Sequence, residues 1–176
     1  MAKVTVYVGL LRAVNVGGTA KLPMTELASI CESAGFTNVT TYIASGNVVF
    51  ESAGGEANVK SALEQRLAVY IGKPIGVLVR TREQLEAVLH GNPFPGASPS
   101  ATVAIFLDEP PNADAIEELA GRRDEEVALG VREIYVHYAS GIGGSKLKVP
   151  AARAGTARNM NTVAKLVQLA SGTTGP

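Results

Sequence analysis

The chain has no tryptophan, one cysteine and two histidines, and no acidic residue follows Glu133. Each shortage removes a class of chemistry. Cys31 has no partner for an internal disulfide, and its spacing with Leu27, Ile30 and Ala34 puts it on the apolar side of a predicted helix, so it reads as a core thiol. His90 and His137 are isolated, and with one core cysteine they make no zinc set; no metal is expected. Five tyrosines, four phenylalanines and zero formal net charge equip the chain poorly for strong nonspecific binding to phosphate backbones, so nucleic acid is the less favoured partner. No apolar run approaches the roughly 20 residues of a membrane helix. The N-terminus reads as a strand, without the charged, apolar and small-residue sections of a signal peptide. No membrane association and a cytoplasmic location follow as expectations.

What is present is an ordinary globular composition, 46% hydrophobic and 18% charged over 176 residues, enough to bury a core without staples. The zero net charge hides a segregation along the chain. Asp108 to Glu126 contains eight acids against Arg122 and Arg123, whereas the stretch after Glu133 carries Lys146, Lys148, Arg153, Arg158 and Lys165. Such a one-signed segment creates a local positive potential unless folding returns acids beside it.

The hydrophobic pattern is that of strands alternating with helices. Val4–Val8 running into Leu10-Leu11 predicts a buried strand. Leu27, Ile30, Cys31 and Ala34 predict a helix after Pro23 that stops at Gly35. Val39–Ile43 and Val48–Phe50 flank Ala44-Ser45-Gly46-Asn47 as a hairpin whose glycine takes a positive φ. Val59, Leu63, Leu67 and Tyr70 mark a second helix, and Ile75–Val79 another strand. The order β-α-β-β-α-β is the ferredoxin-like arrangement. A helix over Thr81–His90 and a Pro, Gly and Ser-rich connector follow. The second half repeats the grammar: a strand at Val103–Leu107, a helix through Ala113, Ile116, Glu117 and Leu119, and paired strands at Glu126–Leu129 and Ile134–Tyr138. A short helix over Lys146–Ala154 and a last helix striped by Val163, Leu166, Val167 and Ala170 end it. The expectation is an α+β chain of two tandem ferredoxin-like (βαββαβ-type) units with C-terminal helices: a first unit over residues 1–80, a connector over 81–100 and a second unit over 101–176.

Candidate chemistry concentrates where strands should stop or helices begin, in Arg12–Lys21, Ser45–Asn47, Gly141–Lys148 and Gly155–Asn161. These segments contain no Asp, Glu, His or Cys, an inventory that binds anions better than it moves protons. The candidate ligand residues are Arg12, Asn15, Gly17, Gly18, Lys21, Ser45, Asn47, Ser145, Lys146, Arg158, Asn159 and Asn161. With Thr156 as N-cap of the last helix, Arg158, Asn161 and Lys165 share a cationic face near a positively polarised helix end. Arg12 can clamp two oxygens of an anion, and the asparagines offer both donors and acceptors. The alternative is that Arg12 and the asparagines cap turns through buried hydrogen bonds. Ser145-Lys146 as a serine nucleophile with a lysine base is disfavoured, because adjacent residues point apart. Gly141–Lys146 is not a Walker A loop, being too short and having its Lys and Ser in the wrong order.

Four of these stretches, Leu10-Leu11-Arg12-Ala13-Val14-Asn15-Val16-Gly17-Gly18 with Lys21, Tyr42–Phe50, Ser140–Leu147 and Thr156–Thr162, closely resemble the bacterial family labelled domain of unknown function 1697, over nearly the whole chain. The family tends to Gly-Ile at Ala13-Val14, to a larger or basic residue at Gly144 and to an aromatic at Met160; the last departure weakens any model in which a ring at 160 stacks on a ligand. The resemblance implies an αβ fold of tandem ferredoxin-like units and brings no established activity or cofactor.

Three functions fit. The first is binding of a phosphorylated or otherwise anionic small molecule at a basic, Asn- and Gly-rich site between the two units, with Arg12, Lys21, Lys146 and Arg158 as the clamp. The second is an RNA-binding module whose sheet presents Tyr7 and Phe50 for stacking. The third is an interaction or oligomerisation module using an exposed acidic helix over Asp114–Gly121. Whether a reaction is catalysed, the identity of the ligand and the oligomeric state are left open.

Overall fold

A computed structural model describes residues 3–172 as a mixed α/β protein with two four-stranded antiparallel sheets and four α-helices. The strands and helices divide into two compact units. One holds the described residues up to Leu85 together with those from Lys165 on, and the other holds Glu86–Ala164.

The first unit runs β1 (Thr5–Leu11), α1 (Met24–Ser33), β2 (Thr37–Tyr42), β3 (Asn47–Ser52), α2 (Glu56–Ile71), β4 (Val77–Thr81) and the start of α3 (Arg82–His90). Its sheet has the order β2-β3-β1-β4. β1 is an almost unbroken apolar run because both faces of this central strand are buried. Tyr7 and Leu11 join Val48, Phe50, Val77 and Val79 on one face, where Leu27, Ile30 and Cys31 of α1 and Val59, Leu63 and Leu67 of α2 cover them. The i, i+4 recurrence of Val59, Leu63 and Leu67 makes α2 amphipathic. Tyr70, the fourth residue that marks this helix in the sequence, is 46% exposed at the helix end. Phe36 stacks on Phe50 with ring centroids 4.4 Å apart. Cys31 is fully buried, and loss of hydration pushes its thiol up to about 12. On the opposite face Val8, Leu10, Val49, Leu78 and Arg80 are also buried, and Leu169 and Ala170 from the chain's last helix line a cleft with Val6, Thr40 and Val49.

The second unit contains β5 (Thr102–Phe106), β6 (Glu126–Leu129), β7 (Glu133–His137), β8 (Thr156–Asn159) and the start of α4 (Met160–Ala170), in the sheet order β6-β7-β5-β8. β5 takes the central position that β1 takes in the first sheet. Val103, Ile105, Leu107, Ile134 and Val136 form the core of one face, against which Leu147, Val149, Ala151 and Ala152 pack.

Three sequence expectations fail in this unit. The stretch read as a helix through Ala113–Leu119 is a string of turns, closed by Ala115 N–H to Asn112 O, Glu117 N–H to Asp114 O and Leu119 N–H to Ile116 O. It begins after a Pro-Pro pair and ends at Gly121, too short to propagate alone, and Ala115 is its one fully buried apolar side chain. The exposed acidic helix of the interaction reading is therefore absent. Lys146–Ala154 holds only a 3-10 turn at Pro150–Ala152. Lys148 is pulled into an extended pair with Ala120, at 2.7 and 3.1 Å, and Pro150 disfavours helical backbone in the residue before it. Finally, Thr156–Asn159 is a strand paired with β5, from Val103 opposite Asn159 to Phe106 opposite Thr156, so the last helix starts after Asn159.

Candidate functional site

At one end of the first sheet the chain builds a compact group of loops. Leu11 N–H bonds Gly46 O and Arg12 N–H bonds Gly76 O, both at 2.9 Å, which ties the exit of β1 to the β2–β3 turn and to the entry of β4. The loop from Arg12 to Lys21 departs from this junction. Its backbone visits the left-handed region repeatedly, at Ala13 (φ 54°), Asn15 (56°), Gly17 (60°), Gly18 (76°) and Ala20 (50°). Gly17 and Gly18 form the tip of a minute hairpin in which Val16 pairs with Thr19, the conformation that two consecutive positive φ values serve.

Asn15 fixes this loop. Its Oδ1 accepts from Leu22 N–H at 2.7 Å, and its Nδ2 donates to Leu22 O at 2.9 Å and to Ala44 O at 2.8 Å. The last bond clasps the loop to the β2–β3 turn. In that turn Ile43 has φ 52° and Gly46 φ 90°. A Cβ on Gly46 would stand 2.7 Å from Val14 Cγ2 and 2.9 Å from Leu11 Cβ, so no other residue fits. Asn47, fully buried, donates to Tyr42 O at 2.9 Å and Ser45 Oγ at 3.1 Å. Asn15 and Asn47 thus spend their amides on the backbone and on a neighbouring serine, as the capping alternative expects. Arg12, Asn15, Gly17, Gly18, Lys21, Ser45 and Asn47 all belong to this end of the first unit, with Lys21, Gly17, Gly18 and Ser45 exposed and Arg12 half-buried.

The remaining candidates lie in the second unit and behave differently from expectation. Arg158 is a strand residue, 7% exposed, opposite Ala104 in the register of β8 and β5. Its Nη1 donates to Thr156 Oγ1 at 2.8 Å and to Ala157 O at 2.9 Å. Burial pulls the guanidinium down to about 10, which leaves it charged at neutral pH. Thr156 caps no helix. Asn159 does, its Oδ1 accepting from Thr162 N–H at 2.9 Å, the N-cap geometry. Asn161 is exposed in the first turn of α4, and the shared helical face of Arg158, Asn161 and Lys165 does not exist, because Arg158 precedes the helix.

Ser145 meets an acid. Its hydroxyl donates to Glu125 Oε2 at 2.5 Å and accepts from Leu147 N–H at 3.1 Å, while Ser140 Oγ donates to Asp124 Oδ2. The Ser145 hydroxyl, and then the Arg123 amide at 2.6 Å, hold the Glu125 carboxyl below the usual carboxylate range. Arg123, Asp124, Glu125, Ser140 and Ser145 line a cleft of about 490 Å³. A carboxylate whose proton affinity is lowered makes a poor general base, and Ser145 is engaged by Glu125, so the serine–lysine pairing has no support. Lys146 is exposed beside it.

Asp124 and Glu125 are the residues that the sequence reading left out of this cluster. The predicted hairpin held the signal. Glu126 stands opposite His137, so continuing the same register by one and two residues brings Glu125 and Asp124 to the loop that follows β7. That pairing brings two acids of the 108–126 segment against Ser140 and Ser145, at the start of the basic segment.

Tyr7 and Phe50, the aromatic pair of the RNA reading, are 4% and 0% exposed, and Tyr7 Oη donates to Gly54 O at 2.7 Å. Packed beneath α1 and α2, they present no face to a base. Among the described residues no group of three or more His, Cys, Asp or Glu could hold a metal ion, and no helix is long and apolar enough to cross a membrane.

Among solved structures, a conserved bacterial protein, SP0830 from Streptococcus pneumoniae, superimposes with a TM-score of 0.78 at 29% sequence identity, over 96% of this chain and 99% of that one. No curated protein matches. The family model described as "Protein of unknown function (DUF1697)" matches residues 4–135, which include both loops of the first-unit group and the acids opposite Ser145; the chain belongs to this family.

Proposed function

We propose that this protein, in a bacterial cytoplasm, binds a small phosphorylated or otherwise anionic molecule at the loop from Arg12 to Lys21 of its first unit. The observation that carries the reading is the strained backbone of that loop and its neighbour. Ala13, Asn15, Ala20 and Ile43 hold left-handed φ values, each costing about 1–3 kcal/mol and persisting only where the surroundings over-determine them. Asparagine tolerates the conformation and here explains itself through its three hydrogen bonds; alanine and isoleucine do not. Strain of this kind clusters at ligand clamps. The charge supports an anion, because Arg12 and Lys21 bracket the loop while neither it nor residues 43–47 contain an acid. Exposed Gly17 and Gly18 leave the backbone open to close approach.

The element order β-α-β-β-α-β and the sheet order β2-β3-β1-β4 support a ferredoxin-like reading of the first unit. The matching order β6-β7-β5-β8 supports a related second unit in which turns stand in for the first helix.

Calorimetric or thermal-shift titration with inorganic phosphate, sugar phosphates and nucleotides tests the site. A ligand at a hundred times its Kd stabilises the native state by about 2.7 kcal/mol. Lys21→Ala and Arg12→Ala are each expected to weaken binding about tenfold to a hundredfold, since charge-assisted hydrogen bonds contribute about 1.5–3 kcal/mol. If none of these anion classes stabilises the wild-type chain, the reading fails.

A further inference from the structure

Val16 and Ile43 are 60% and 48% exposed. Single exposed aliphatic residues are ordinary, so exposure alone decides nothing. Their setting is not ordinary. Val16 follows Asn15 and Ile43 precedes Ala44, the two residues joined by the 2.8 Å bond between the loops. Ile43 also combines a branched Cβ with φ 52°, the combination that left-handed backbone accepts least. Asparagine or glycine would relieve that strain and hydrate better. Gly46 N–H closes the turn onto Ile43 O at 3.3 Å, and the absence of room for a side chain on Gly46 locks it. The turn therefore holds an unfavourable side chain out in solvent, next to a loop one of whose two charged groups, Lys21, is also exposed.

Resting on the anion-binding reading above, we infer that the ligand is amphipathic: an organic phosphate whose short apolar group lies against Val16 and Ile43 while its charge is met by Lys21. The aliphatic pair gives the site a preference between anions that charge alone cannot supply.

Calorimetry with inorganic phosphate, n-butyl phosphate and n-butanol separates the two claims. Butyl phosphate is expected to bind about tenfold more tightly than phosphate, the effect of removing roughly two methylene groups from water, with butanol far weaker than either. Ile43→Asn should bring the affinity for butyl phosphate down to that of the same variant for phosphate, and should raise the melting temperature. Should Ile43→Asn fold poorly, Val16→Ser, in the exposed loop, provides the same comparison. Equal affinity for phosphate and butyl phosphate, or an advantage that survives both substitutions, overturns the inference and leaves the anion site standing. Butanol binding as tightly as butyl phosphate, or no binding of any probe, overturns both.

Discussion

The two units share a sheet plan but not a way of covering it. In the first, α1 and α2 lay Leu27, Ile30, Cys31, Val59, Leu63 and Leu67 over one face. In the second, the corresponding cover comes from irregular chain, with Leu147, Val149, Ala151 and Ala152 only partly buried. The junction after the last strand is nonetheless built alike. Arg80 in β4 and Arg158 in β8 are both buried, and each is followed at once by a helix cap. Thr81 Oγ1 accepts from Gln84 N–H at 3.1 Å while Gln84 Oε1 accepts from Thr81 N–H at 2.9 Å; Asn159 Oδ1 accepts from Thr162 N–H at 2.9 Å. A common sheet therefore constrains the strand-to-helix exit more tightly than the material packed on its face.

Truncation should therefore weigh far more in the helical cover than in the irregular one. Leu63→Ala, at a fully buried position, is expected to cost about 3 kcal/mol in urea unfolding, and Leu147→Ala about 1 kcal/mol or less. Equal losses would mean that the loop cover of the second unit is as closely packed as a helix.

The likeness of the two exits can be tested with smaller changes. Thr81→Ala and Asn159→Ala should each cost about 1 kcal/mol. Gln84→Ala should weaken the first exit further, because only there does a side chain return a bond to the capping residue. Hydrogen exchange in the first turns of α3 and α4 reads these effects locally.

What the sequence made legible follows the same division. Apolar runs mark β1, β3 and β4, and helical spacing marks α1 and α2, because each buries apolar residues that the pattern records; β2, which buries none, is legible from the hairpin it makes with β3. Thr-Ala-Arg-Asn carries no alternation, and β8 exists because β5 offers a partner across the chain; a four-residue strand chosen by tertiary pairing leaves no local trace. The same displacement moved the N-cap from Thr156 to Asn159 and took Arg158 into a strand. At the first-unit loops, composition located the group but not the task of each amide. Asn15 has the same two functional groups whether it meets a ligand or Leu22, and only the fold shows which.

The smallest expected effect concerns Glu125. Its folded carboxyl lies below its ordinary 4.5, chiefly through the Ser145 hydroxyl, so its contribution to stability is present above about pH 4.5 and lost as pH falls through the folded value. Ser145→Ala should move the Glu125 titration, followed by carboxyl carbon NMR, back upward and flatten the acid limb of the second unit's stability curve. An unchanged titration would assign the shift to the Arg123 amide.

Cys31 gives the first unit a built-in clock. Enclosed beneath α1 and protonated well above neutral pH, its thiol is silent to alkylating and disulfide reagents for as long as that helix stays seated. The second unit has no cysteine to confuse the signal. Labelling kinetics therefore time the opening of one half of the molecule alone, in the unaltered natural chain and without an introduced probe.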